Sequence, residues 1–148
     1  MEDKAQNEIF HHQIPAQLRF SDVDRFGHVN NSVYFSLFDM SKEKYFMDVV
    51  GKDPFHQVCI VVANVNANFL APIYFPDEIA IQTAIVHLGN KSFTLHQRAV
   101  NVRTKEVKCD CRTVMVCLDM NDKVSVPIPQ NFRERIEAYE GRVLSGDA

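Results

Sequence analysis

The sequence is short of long apolar runs. The longest, Val58-Cys59-Ile60-Val61-Val62-Ala63, falls far below the ~20 residues a membrane-spanning helix needs. It also lacks a basic excess: 16 Lys and Arg stand against 19 Asp and Glu, a net charge of −3. That excludes the charge footprint of a nucleic-acid binder and leaves any polyanionic ligand to one or two local cations. The polar start Met1-Glu2-Asp3-Lys4 leads into no apolar segment, so no secretory signal is expected. Cysteines are few: Cys59, Cys109, Cys111 and Cys117. Cys109 and Cys111 are two apart and share a strand face, and no further Cys or His stands at zinc-binding spacing. They read as ordinary thiols of a reducing compartment, which places the protein in the cytoplasm with no metal or other cofactor. Gly-x-Ser-x-Gly is missing, which argues against a serine esterase of the α/β-hydrolase kind. So are a glycine-rich phosphate loop and a dinucleotide fingerprint.

What is present fits one globular domain. The 148 residues are 46% hydrophobic and 24% charged, a balance that excludes disorder, collagen and coiled coil. Residues 1–12, ending in His11-His12, read as a flexible polar tail. From Gln13 to Phe20, Ile14, Ala16, Leu18 and Phe20 alternate with polar or proline positions, the period of a half-buried strand. A polar loop, Ser21 to Asn31, precedes a helical stretch from Ser32 to Val50 that is apolar nearly all round in its first half, so burial on most sides is expected. Gly51 stands where a glycine ends a helix. Four strand-like runs follow, over 57–70, 78–88, 92–102 and 107–120, and then a short helix over 127–139. Residues 141–148 read as a second flexible tail, leaving 13–140 as the domain. One buried helix followed by strands at hairpin spacing predicts an α+β fold, with a curved five-stranded antiparallel sheet wrapped around one long central helix and a short C-terminal helix.

The loop before the helix concentrates chemistry: Asp22, Asp24, Arg25, His28, Asn30 and Asn31. Helix N-termini offer free N–H groups and a partial positive charge, which polarise a carbonyl and stabilise a developing oxyanion. A nearby carboxylate can attack as nucleophile or activate water. The same residues are also ordinary caps and turn formers, and residue type alone favours that plainer role.

The segment Asp22-Val23-Asp24-Arg25-Phe26-Gly27-His28-Val29-Asn30-Asn31-Ser32-Val33-Tyr34 resembles the signature of hotdog-fold acyl-CoA thioesterases of the 4-hydroxybenzoyl-CoA thioesterase type. Val65 to Ile79, with its two prolines, resembles that family's strand-proline-strand segment, and Gly89-Asn90-Lys91-Ser92-Phe93 resembles the turn before its next strand. The resemblance runs from about Pro15 to Asp119. It implies a hotdog fold and hydrolysis of an acyl-CoA thioester to a carboxylic acid and free coenzyme A, without a cofactor. It maps the catalytic carboxylate to Asp24 and the carbonyl-polarising backbone N–H to Asn31. Lys91, with Ser92 beside it, matches a position used on coenzyme A phosphates. His28 matches a histidine of plant acyl-carrier-protein thioesterases, which carry Asn where this chain has Phe26. His28 therefore either takes part in the chemistry or supports the loop. Homodimers or homotetramers with the site between subunits are implied as well.

Two other functions compete. Hotdog hydratases and dehydratases use Asp-x-Asn-Pro-x-His, and Phe26-Gly27 stands where Asn-Pro is needed. A non-catalytic acyl-CoA or acyl-carrier binding module has no use for an intact Asp24.

Overall fold

The computed structural model describes residues 8–145. Five antiparallel strands form one sheet: β1 (His12–Ala16), β2 (Val58–Phe69), β3 (Ile79–Leu88), β4 (Ser92–Asn101) and β5 (Val107–Asp119). They lie in the order β1-β3-β4-β5-β2, so β1 and β2 are the edges. The long helix α1 (Asn31–Tyr45) runs on as a wider π-type turn over Phe46–Val50, and α2 (Gln130–Glu140) closes the chain's last third. This is the sheet-and-helix arrangement of a hotdog.

Strand alternation sorts the side chains. Ile81, Ala99, Cys109 and Cys111 turn inward and meet Tyr34, Leu37 and Phe38 of α1. Farther along, Ile85, Leu95, Met115 and Cys117 meet Tyr45, Phe46 and Val50, with Phe132 and Ile136 of α2 sealing that end. Burial pushes the Cys109 thiol up to about 12 and that of Cys117 to about 11. These are inert core thiols, and all four cysteines are free.

A buried polar tie sets where α1 sits along the sheet. Ser41 Oγ lies 2.9 Å from Thr83 Oγ1. Gln97 Nε2 donates to the same Thr83 oxygen and to the Phe38 carbonyl, both at 3.0 Å. Unpaired polar groups at this depth are costly, so the tie tolerates little sliding of α1.

Four expectations need correction. His12 belongs to β1, is 6% exposed, and its Nε2 lies 3.0 Å from Asp48 Oδ2; a helix carboxylate gives it a partner that a solvated tail lacks. The first strand stops at Ala16, because its last pairing is with Ile79, and Phe20 is exposed. The chain beyond Gly141 is tied down as far as Leu144, which is buried, donates its N–H to Glu137 and accepts from the Leu88 N–H. The rest of the expected tails, 1–7 and 146–148, lies outside the described residues. Finally, α1 is buried on one face only: Phe35 and Met40 remain exposed, as does Met47 in the turn that follows, because a single sheet covers a single side of a helix.

Candidate active site

The loop joining β1 to α1 is held by its own hydrogen bonds. Asp22 is 3% exposed and takes the Arg19 N–H at 2.7 Å and the guanidinium at 2.9 Å. Burial alone would raise its carboxyl, but the hydrogen bonds and charge of Arg19 outweigh burial and hold it below the usual carboxylate range. Its own carbonyl accepts the Asn30 N–H at 2.8 Å. Asp22 is thus the anchor of the loop.

Asp24 is exposed. Its N–H donates to the His28 carbonyl at 2.8 Å, and its carbonyl accepts the Gly27 N–H at 3.0 Å. Gly27 sits at φ +80°, a left-handed conformation that favours glycine. One carboxylate oxygen, Oδ1, accepts the Phe26 N–H at 2.8 Å and faces the His28 N–H at 3.4 Å. The other oxygen has no partner among the described residues. The turn therefore fixes the carboxylate while leaving half of it available.

Asn30 caps α1, accepting the Ser32 N–H on Oδ1 at 3.0 Å, while its carbonyl accepts the Val33 N–H at 2.9 Å. The Asn31 amide between them has no partner among the described residues. It lies at the positive end of a 15-residue helix.

Asp24, His28 and Asn31 line one cleft of about 440 Å³, together with Tyr34, Phe69 and Pro72. The His28 ring is half-buried and meets Tyr74 edge-on, 5.1 Å between centroids. Lys91 and Ser92 do not reach this cleft. Ser92 pairs with Val116, which pairs with Val61. Phe69 is eight residues farther along β2, about 26 Å at ~3.3 Å per residue.

Sequence reasoning missed the cleft's aromatic wall. Tyr34 and Phe69 meet edge-on at 5.2 Å, and burial, with the Cys109 charge adding, raises the Tyr34 hydroxyl. The signal existed: Tyr34 is one helical turn beyond Asn31 and so shares its face.

Known proteins resemble this chain over nearly all of its length. Long-chain acyl-CoA thioesterase FadM of Escherichia coli (strain K12) is 25% identical over 130 residues, covering 84% of this chain and 96% of that protein. The crystal structure of a thioesterase from Thermus thermophilus, complexed with coenzyme A and Zn, superimposes with TM-score 0.78 at 30% identity, covering 90% of this chain and 96% of that one. YbaW, a probable thioesterase from Escherichia coli, gives TM-score 0.74 at 26% identity, covering 86% and 97%. The sequence profile of the thioesterase-like superfamily matches residues 18–136, which take in the loop, α1, the whole sheet apart from β1, and most of α2, and the chain belongs to that family.

Proposed function

We propose that this protein hydrolyses acyl-CoA thioesters to carboxylic acid and free coenzyme A in the cleft at the N-terminus of α1. The observation that carries this reading is the meeting of a half-engaged carboxylate, Asp24, with an unpartnered helix amide, that of Asn31, across one cleft. The amide donates to the thioester oxygen and stabilises the negative charge that grows on it. The Asp24 carboxylate either attacks the carbonyl carbon, expelling the coenzyme A thiolate and leaving an aspartyl-acyl anhydride that water hydrolyses to the acid and free Asp24, or takes the proton of a water that attacks the carbonyl and expels the thiolate; in both routes the thiolate is then protonated. His28 supports the loop. FadM, named for long-chain acyl-CoA, and the Thermus thioesterase with coenzyme A bound favour acyl-CoA as the substrate class.

The site works between two copies of the chain, as a homodimer or a homotetramer built from it. β2 is a free edge with Val61, Val62, Val65 and Phe69 exposed, a surface that isolated proteins avoid. Antiparallel pairing of two β2 edges sets the Lys91 turn of one copy at the Asp24 end of the other. Lys91 and Ser92 then meet coenzyme A phosphates from across the interface. Free thiols support a cytoplasmic location, and no helix among the described residues is long and apolar enough to cross a membrane.

The test is thiol release over a panel of acyl-CoA esters with the wild type and Asp24→Asn. The amide keeps the Phe26 contact but loses the charge, so turnover on the best ester should fall ~10²–10⁴-fold with unchanged melting. Wild-type turnover by Asp24→Asn would refute the assignment, and hydration of enoyl esters without thiol release would point to a hydratase. Single-turnover hydrolysis in ¹⁸O-water tells the two routes apart: label entering Asp24 marks it as nucleophile.

A further inference from the structure

The outer face of the sheet carries a second, smaller cavity of about 170 Å³ at the open end of β3 and β4. Its polar lining is Gln13, Gln82, Arg98, Asn101 and Lys105, with no carboxylate among the residues that form it. Gln13, Gln82 and Arg98 are successive cross-strand partners in one transverse row.

Arg98 is the unusual member. It is 9% exposed, and its Nε is buried with no hydrogen-bond partner. The Phe10 ring lies 5.1 Å from its guanidinium carbon. Asp110, next in the row, directs Oδ1 to the buried His96 ring; the Arg98 charge helps to lower its carboxyl, but the two form no ion pair among the described residues. A buried guanidinium N–H without an acceptor is an unfavourable arrangement.

The other lining groups present donors. Lys105 holds a left-handed backbone at φ 67°, and its ammonium makes no ion pair among the described residues. Asn101 Oδ1 is occupied by the Arg103 and Thr104 N–H groups, at 2.9 and 3.1 Å, which leaves its NH₂ free. Gln13 Oε1 is likewise occupied by Gln82 Nε2 at 3.0 Å. Two cations and two amide NH₂ groups around a small cavity ask for an acceptor-rich anion, and a guanidinium's planar fork suits a tetrahedral oxyanion.

We propose that this pocket binds a phosphate-class oxyanion on the outer face of the sheet, away from the Asp24 cleft. Both free phosphate and a phosphate group of a larger ligand carry the required chemistry.

Calorimetric titration of the full chain with inorganic phosphate, at constant ionic strength set with chloride, tests this. Wild type and Asp24→Asn should bind at one saturable site. Lys105→Ala should weaken binding about tenfold, the loss of one charge-assisted contact, and Arg98→Gln should weaken it further. If Arg98→Gln does not fold, Lys105→Ala and Asn101→Ala carry the test. No saturable binding by wild type, or wild-type affinity in both Lys105→Ala and Asn101→Ala, overturns the proposal. Coenzyme A as competitor identifies the source. Displacement of phosphate that Lys105→Ala weakens assigns the pocket to a phosphate group of coenzyme A, and an unchanged isotherm assigns it to free phosphate; either supports the site.

Discussion

Two aspartates two residues apart do different work, and their surroundings decide which. Asp22 is enclosed and saturated by Arg19, whereas Asp24 keeps an oxygen free at the cleft. Because the folded carboxyl of Asp22 titrates below its unfolded value of ~3.9, it contributes stability that is present above that value and is lost as pH falls through the folded one. Asp22→Asn should cost about 1.5–3 kcal/mol at neutral pH, as for hydrogen bonds to a charged group, and the cost should shrink at strongly acidic pH. Urea unfolding at both pH values checks this, and an equal cost at both would show that the charge is irrelevant. His28→Ala tests the supporting role. The loop's hydrogen bonds at this position are made by the backbone, so kcat should fall at most ~10-fold, about 1.4 kcal/mol, with a lower melting temperature. A thousandfold fall at unchanged melting would place His28 in the chemistry.

At the scale of elements, α1 carries the amide proposed as the oxyanion donor, and two devices hold the helix. Asn30 caps its first turn, and the Ser41–Thr83–Gln97 tie holds its middle. Asn30→Ala should destabilise the fold by about 1 kcal/mol. Its turnover should fall more than the folded fraction explains, since the frayed turn carries the Asn31 amide; turnover that merely tracks folding in a urea series would separate cap from catalysis. The central strands were legible in the sequence because each is a run of ten or more residues rich in β-branched and apolar types, set off by turn signals such as Gly89-Asn90. The first strand was not. Leu18 and Phe20 continue the period, but Arg19 and Asp22 bond each other and turn the chain away from β3. The buried stripe of α1, Tyr34, Leu37, Phe38, Ser41 and Tyr45, was only partly readable. Met40 is as apolar as Leu37 one turn earlier, and only the position of the sheet shows that it faces out.

The whole molecule leaves an unpaired edge strand with exposed valines beside a helix with exposed Phe35 and Met40. Val62→Lys on that edge should convert the proposed homo-oligomer to monomers, read by sedimentation, and abolish turnover; an active monomer, in the variant or the wild type, would refute a site shared between copies. Lys91→Ala should raise KM for coenzyme A esters more than it lowers kcat, since a phosphate contact far from the reacting carbon holds ground and transition states alike. A pantetheine thioester should feel the change less. Equal sensitivity of the two substrates would show that Lys91 meets no nucleotide phosphate.

The sequence by itself determined the architecture and singled out the loop before α1 as the candidate site. Period-2 alternation, an apolar helix and the run from Asp22 to Tyr34 are local patterns, written in neighbouring residues and readable without a fold. Tertiary structure decided the rest, because distance across a sheet is not written along a chain. It buried His12 against Asp48, brought Phe69 and Pro72 into one cleft with Asn31, and set Lys91 at the far end from Asp24. It also enclosed Arg98, an ordinary strand arginine in the sequence, in a cavity where it lacks an acceptor. Burial and pairing of this kind arise from residues tens of positions apart, which local sequence patterns do not record.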